Sequence, residues 1–384
     1  MFENNLSVGG LYMKCSIYLR NGSYGPSCYY RVMQYFEELE IEGLEFRVNN
    51  AWNDADYVKY YEKHSRIIKV LLGITFFCRL CLNRFYSIRK DVMEKTDIVV
   101  IQREVFPRIF PIFIKPLFSK LLSDAYVIWD FDDNILNSKE ITGKEWKILN
   151  DKADLIIGIS DYAKKNLDIK AQNQYIALPT TDKAFDSINL ESVLLERKVN
   201  YKDIIKVVWL GTVTNLIHID MVISQLELAA NEIKKIGKQL ELTIVCSEAY
   251  TPNIEIKALK INFVKWTREK AIEEVLRSHV GIMPLLDGEF EKGKGGFKLI
   301  QYLAASLPVI ASDVGFNSTV VNDSVGYLIN NNSLELWRNA LVNLAYDEPL
   351  WFEKSKNARK RYESEFSFKK NKIFWEQTMK DRLI

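Results

Sequence analysis

Short runs of Val, Ile, Leu and aromatic residues alternate along the chain with longer stretches in which apolar positions recur every three or four residues. Cys15–Arg20, Leu44–Val48, Asp97–Gln102, Ala125–Asp130, Ala153–Ser160 and Gln174–Pro179 read as strands. Helical stretches such as Tyr29–Glu40 and Asp161–Asn166 lie between several of them. After a polar segment near Asp186–Asp203 the pattern restarts. Ile205–Gly211, Leu240–Cys246, Ile261–Trp266, Val280–Leu286, Pro308–Ser312 and Gly326–Asn330 are the new strands, again separated by helical segments. Strand–helix alternation predicts parallel sheets covered on both faces. The halves show no repeat of one another. The expected division is a tail over 1–12, a first α/β domain over 13–185, a second over 186–366, and a C-terminal helix over 367–384 packing back on the first domain. Open α/β sheets bind ligands outside the carboxyl ends of their strands, so the chemistry belongs in the loops after strands, at a cleft between the two domains.

The length of 384 residues fits two domains. A formal net charge of +2 gives no global field for nucleic acid, and no nucleic-acid partner is expected. Five cysteines form an odd, sparse set, which points to a reducing compartment and a cytoplasmic protein. Cys78-Arg-Leu-Cys81 is a lone CxxC in an apolar helical pattern and reads as core thiols. The opening MFENNLSVGGLY lacks a basic start and an apolar segment and reads as a loose tail, with Met1 or Met13 as the start. Val70–Leu82 is apolar but short and holds Arg79, so it is not expected to span a bilayer. His64, His218 and His279 are scattered without metal-ligand spacing, and no metal is expected.

One stretch carries chemistry more densely than the rest: GEFEKGKGGFKLIQYLAASLPVIASDVG, Gly288–Gly315. Leu299–Ala305 has helical spacing, and Gly293–Phe297 would be its entry loop. A helix N-terminus offers unpaired N–H groups and partial positive charge, and glycines let an anion approach the backbone. Lys294 and Lys298 flank Gly295 and Gly296 and add charge on the same side. The pattern is neither a P-loop nor GxGxxG after a first strand. It is either a cradle for a phosphate or diphosphate or a surface loop with solvated lysines.

VGIMPLLDGEFEKGKGGFKLIQYLAASLPVIASDVGFNSTVVNDSVGYLI resembles the donor-binding region of the retaining GT-B glycosyltransferases of family four, the glycosyl transferases group 1. VVWLGT (Val207–Thr212) resembles the strand and loop that open that family's donor domain, and DEPLWFEKSKNARKRYESEF (Asp347–Phe366) its C-terminal helical segment. GSYGPSCYYRVMQYFEEL, VIWDFDDNI and DLIIGISDYAKKNL resemble the bacterial polysaccharide subgroup. The resemblance implies an α/β GT-B fold, two Rossmann-like domains facing an interdomain cleft. The first would hold the acceptor and the second a nucleotide-sugar. It implies no metal and no cofactor: side chains and a helix dipole neutralise the leaving diphosphate. A UDP-sugar is the leading donor, with GDP- or dTDP-sugar as alternatives. Many members carry two spaced glutamates whose positions fall here on Gly293 and Gln301. Gln301 could still bond a ribose hydroxyl, whereas Gly293 has no side chain, and Asp287, Glu289 or Glu291 would have to substitute.

Further candidates follow strands. Gly22–Ser27, with Gly25, makes a glycine loop or a plain turn, and Arg31 beyond it meets phosphate or surface glutamates. Asp132 and Asp133 end a strand; they orient an acceptor hydroxyl, act as a base, or cap the next helix. Arg103 binds an anionic acceptor group or forms a structural ion pair. Gly211 and Thr212 suit close approach to a diphosphate, and Trp266 stacks on a base or belongs to the core. His64–Lys90 mixes basic and apolar residues, which suits either an anionic membrane surface with its lipid-linked glycans or a core helix with a solvated basic face. The expected function is retaining transfer of a sugar to a glycan or lipid-linked glycan of a bacterial-type surface polysaccharide, in the cytoplasm or at the membrane's inner surface. The alternative is a non-catalytic subunit of similar fold that binds a partner enzyme or glycan. Oligomeric state is open.

Overall fold

The computed structural model describes residues 12–22, 25–53, 55, 56, 59, 64–132, 135, 139–168 and 173–383. Among them are two six-stranded sheets in which every strand pair is parallel. The chain divides into two compact units, Met1–Leu178 with Asn371–Ile384, and Pro179–Lys370. The sequence pattern puts this boundary at 185/186, but the units divide earlier for a physical reason. Asp182 takes two hydrogen bonds from Arg268, at 2.7 and 2.6 Å, and Asp186 accepts one from Tyr362. Both partners lie in the second unit, so the connecting segment is held there.

The first unit comprises β1 (Met13–Leu19), β2 (Leu44–Asn50), α1 (Arg66–Glu94), β3 (Ile98–Gln102), α2 (Lys115–Asp124), β4 (Tyr126–Asp130), α3 (Gly143–Lys152), β5 (Leu155–Gly158) and β6 (Gln174–Ala177). Their order in the sheet is β2-β1-β3-β4-β5-β6. Central β3 is buried at every residue, whereas edge strand β2 alternates between covered and exposed positions. That is the burial which continuous and mixed apolar runs dictate. The helix expected at Tyr29–Glu40 begins earlier, at Pro26, and runs to Phe36 through a wider turn over Tyr29–Met33. Asp161–Asn166 forms 3-10 turns instead of an α-helix. Arg84 of α1 is buried and donates to the carbonyls of Leu19 (2.6 Å), Asn49 (2.7 Å) and Val105 (3.2 Å), closing the carboxyl ends of three neighbouring strands.

The second unit comprises α4 (Leu190–Asn200), β7 (Ile204–Leu210), α5 (Ile217–Lys234), β8 (Gln239–Cys246), β9 (Lys260–Lys265), α6 (Arg268–Arg277), β10 (Val280–Met283), α7 (Phe297–Ala304), β11 (Val309–Ser312), β12 (Gly326–Ile329), α8 (Glu335–Tyr346) and α9 (Glu348–Arg361). The sheet order is β12-β11-β10-β7-β8-β9. The last helix, α10 (Phe368–Lys380), sets Trp375 edge-on against Phe36, with centroids 5.1 Å apart, and Asn371 donates to the Tyr35 hydroxyl at 3.1 Å.

His279 shows how tightly the second sheet is sealed. Its Nδ1 accepts from the Lys206 amide at 2.8 Å and its Nε2 faces the Arg197 carbonyl at 2.9 Å, so the ring is neutral with its proton on Nε2. Burial pushes its pKa down from 6.5 to about 3. The unfolded chain therefore takes up the proton first: the stabilising contribution is complete above 6.5 and is lost as pH falls. Between pH 7 and 5 this one ring should cost about 2 kcal/mol. Urea unfolding at both pH values tests this. The wild type should lose stability on acidification and His279→Gln should show a flatter dependence; equal slopes would refute it.

Each sheet has one point where the strand order reverses, between β1 and β3 in the first unit and between β7 and β10 in the second. The crevice outside the carboxyl ends at such a point is where open α/β sheets place ligands. In the second unit the two loops that meet there are Gly211–Leu216 and the segment from Pro284 to Gly296.

Candidate functional site

The sheet order brings two loops far apart in sequence to one crevice of the second unit. Lys294 Nζ donates to Asn215 Oδ1 at 2.9 Å, and Asn215 Nδ2 donates to Thr212 Oγ1 at 2.8 Å. Thr212 Oγ1 and Thr214 Oγ1 lie 3.1 Å apart. The Leu286 amide donates to His218 Nδ1 at 3.3 Å, which fixes the imidazole proton on Nε2. That N–H stands 3.3 Å from Lys294 Nζ and 3.7 Å from Glu291 Oε1. Burial, then the charge of Lys294, pushes the His218 pKa down to about 4, so the ring is neutral at pH 7.

Lys298 is the second residue of α7, its Nζ 5.0 Å from the centre of the Trp209 ring. It makes no hydrogen bond and no ion pair with any described residue. Burial, then Lys294, lowers its pKa to about 7. Two ammonium groups, an imidazole N–H and the amino end of α7 thus converge with a single carboxylate among the described residues, Glu291, 4.0 Å from Lys294. Groups that can only donate, gathered at one place, form a site for an anion.

Two glycines make this geometry possible. Gly296 caps α7 at φ +62°, in the left-handed region that favours glycine. Gly211 lies against the Trp209 indole, and a Cβ there would fall inside the ring's van der Waals envelope. Gly211→Ala should displace the Trp209 ring on which Lys298 rests, at a cost of about 1–3 kcal/mol. The expected result is a lower unfolding temperature together with weaker anion binding. An unchanged unfolding temperature would show that the ring moves freely.

The other donor-side candidates fall as follows. Gly293 and Gly295 lie in the turn before α7, where the Gly293 amide donates to Phe290 O at 3.2 Å. Gln301 is buried on α7, one turn beyond Lys298 and on the same face. Of the acidic residues, Glu289 lies beside Lys292 (3.4 Å), as does Asp287 (3.0 Å), while Glu291 is the one at the lysine cluster. Trp266 follows edge strand β9, 46% exposed, two strands or about 10 Å from β7. Asn215 and Trp209 were not singled out by the sequence, which named Glu291 only as a substitute for the missing glutamate. Only the adjacency of β7 and β10 shows what they meet.

The first unit gathers charge at its own reversal point. Gly25 precedes Pro26, and its carbonyl accepts from the Tyr29 amide at 2.9 Å. Ser27 donates to Asp132, and Arg103 Nη1 lies 3.1 Å from the same carboxylate. Burial works to raise the pKa of Asp132, but Arg103, Arg31 and Ser27 outweigh it and hold the group below the usual range. Asp132 is thus a weak base and a good hydrogen-bond acceptor. Arg103 also pairs with Glu140, and Arg20 with Glu104 and Glu140. The Arg103 backbone adopts φ +66°, held by its amide N–H donating to Asp130 O (2.7 Å) and by Trp129 Nε1 donating to its carbonyl (2.8 Å). Such strain in a non-glycine residue recurs at functional sites. Arg31 meets neither surface glutamates nor solvent. It is buried and bidentate on Asp130, at 2.8 and 2.6 Å, because the helical run from Pro26 packs it under the end of β4. Asp133, Ser23 and Tyr24 lie outside the described residues.

Residues 205–347 match the family Glycosyl transferases group 1. The match spans the lysine cluster and both loops that form it. Over the whole chain, several solved structures are similar. A glycosyltransferase from Rickettsia africae is 13% identical with a TM-score of 0.61, covering 97% of this chain and 99% of that one. The N-terminal domain of trehalose-6-phosphate phosphatase from Candida albicans is 12% identical with a TM-score of 0.64, covering 100% and 99%. HepE from Anabaena, in complex with UDP-glucose, is 10% identical with a TM-score of 0.60, covering 97% and 99%. At these identities the likeness concerns the fold: two Rossmann-like domains of the GT-B type. No curated protein is similar enough to this chain to count as a match.

Proposed function

We propose that the chain is a retaining glycosyltransferase that moves a sugar from a nucleoside-diphosphate donor to a glycan or lipid-linked glycan of a bacterial-type surface polysaccharide. The observation that carries this reading is Lys298, a half-buried ammonium beside Lys294 with no carboxylate of its own among the described residues. A diphosphate supplies the missing negative charge. Lys294, Lys298 and the amino end of α7 then stabilise the nucleoside diphosphate as it leaves, where charge builds up in the transition state. This arrangement supplies positive charge from the protein itself and supports transfer without a metal. Glu291, tied to His218 and Lys294, is placed to read a sugar hydroxyl in the position that Gly293 leaves without a side chain. UDP is the preferred nucleotide, in line with the HepE complex. In the first unit, Asp132 orients an acceptor hydroxyl and Arg103 an anionic group beside it.

The test is product analysis. The protein is incubated with UDP-, GDP- and dTDP-sugars and bacterial lipid-linked glycans, with and without chelator. The expected result is release of one nucleoside diphosphate and a glycoside that keeps the donor's anomeric configuration, unaffected by the chelator. An inverted product would refute retention, and loss with chelator would refute metal independence. Nucleotide binding without any transfer would favour the non-catalytic reading, which Gly293 supports.

A further inference from the structure

Helix α1 is apolar on the wrong side for an ordinary surface helix. Its buried residues Phe76, Leu80, Arg84 and Ile88 recur every four positions and face the core. On the opposite side Ile67, Leu71, Ile74, Cys78, Leu82 and Tyr86 follow one another at steps of three or four, and all are exposed, Ile67 by 75%. A helix that buries one face against a protein normally carries polar residues on the other. This stripe is about 29 Å long at 1.5 Å per residue. The CxxC thiols therefore do not both belong to the core, since Cys78 sits in the outward stripe.

A second apolar element rises from the same end of the sheet. Helix α1 starts beyond the carboxyl ends of β1 and β2, which Arg84 closes. The loop after β3 exposes Ile109, Ile112 and Phe113, the last by 73%, while its Phe110 and Ile114 share a core cluster with Leu80. Both elements are basic. From Arg66 to Lys90 the chain has six Arg and Lys and no Asp or Glu; from Val105 to Ser123 it has three and again none. No helix among the described residues is long and apolar enough to cross a membrane.

We propose that this face of the first unit docks on an anionic lipid surface, with α1 lying in the interface and its stripe inserted among the headgroups. Exposed apolar side chains supply burial, and Arg89, within the stripe, and Lys90 beside it meet lipid phosphates. A second copy of the chain fits less well: a two-fold pairing of this face would set the same basic elements against each other, and Asp56, paired with Arg79, and Glu94, beside Lys90, are already engaged. This inference concerns a surface apart from the lysine cluster and stands without the nucleotide reading.

Flotation with phosphatidylcholine vesicles, with and without phosphatidylglycerol, tests it. The protein should float with the anionic vesicles only, and less as salt rises. Leu71→Glu with Ile74→Glu should abolish flotation while leaving thermal unfolding unchanged, because both positions are exposed. Arg89→Ala and Lys90→Ala should each weaken binding about fivefold. Sedimentation without vesicles should show the same mass for wild type and variants. No flotation, flotation indifferent to lipid charge, flotation of the Leu71→Glu/Ile74→Glu protein, or a homodimer that this protein loses would overturn the proposal.

Discussion

Lys298→Met should lower turnover by about two to three orders of magnitude and, at the same time, raise the unfolding temperature of the protein. The first effect is the size seen when one preorganised group is removed from a developing negative charge. The second follows from burial. Lys298 is held beside Lys294 with no ion-pair partner among the described residues, and its pKa, lowered to about 7, reflects that cost. A methionine of similar volume keeps the packing over Trp209 and removes the charge. A residue kept for function at the expense of stability shows this opposite pair of changes. Lys294→Ala should lose comparable activity, since it also breaks the bond to Asn215. The same group sets a pH dependence for anion binding. An anion favours the ammonium form, so affinity is flat below pH 7 and falls above it, by up to about tenfold per unit, until the pKa of the bound state is reached. Nucleotide titrations from pH 6 to 9 check this, and Lys298→Met should remove the fall. A variant that keeps both its activity and its pH dependence would show that Lys298 does not meet the ligand.

Asp130→Ala should destabilise the first unit by about 3–5 kcal/mol, because it leaves the buried Arg31 guanidinium without its carboxylate. Arg31 also donates to Leu178 O at 3.2 Å, so it cannot swing to solvent without breaking that contact. Replacing both partners, Arg31→Met with Asp130→Leu, should recover most of the loss, since two apolar groups of similar volume need no compensation. Thermal or urea unfolding of the single and double variants reads this directly. If the double variant is no better than Asp130→Ala, the pair is not the source of the effect.

Each of the twelve strands among the described residues could be read from its apolar run, and the parallel sheets from the alternation with helices. The order of strands could not. Nothing in Ile205–Gly211 or Val280–Leu286 says that they are neighbours, and the site depends on that adjacency. Lys294 and Lys298 were visible because two lysines around paired glycines before a helix have a physical reason to be there. Their partners were not: Asn215 is an ordinary loop residue until β10 lies next to β7, and His218 is one scattered histidine until Leu286 fixes its tautomer. Arg31 misled in the other direction. An arginine early in a helix normally reaches solvent, and only the packing of the helical run under β4 buries it against Asp130. In α1 the mixture of bases and apolar residues gave two readings. The structure shows the outward face to be largely apolar, with bases beside it.

The central claim is that the lysine cluster holds the diphosphate of a nucleotide. The most direct measurement is thermal unfolding with UDP, GDP and dTDP, with and without a chelator, on the wild type and on Lys294→Ala/Lys298→Ala. One nucleotide, UDP on this account, should stabilise the wild type by about 2.7 kcal/mol at a hundredfold its dissociation constant, equally in chelator. The double variant should show no such shift. Stabilisation that survives in the double variant, or none with any nucleotide in the wild type, would contradict the account.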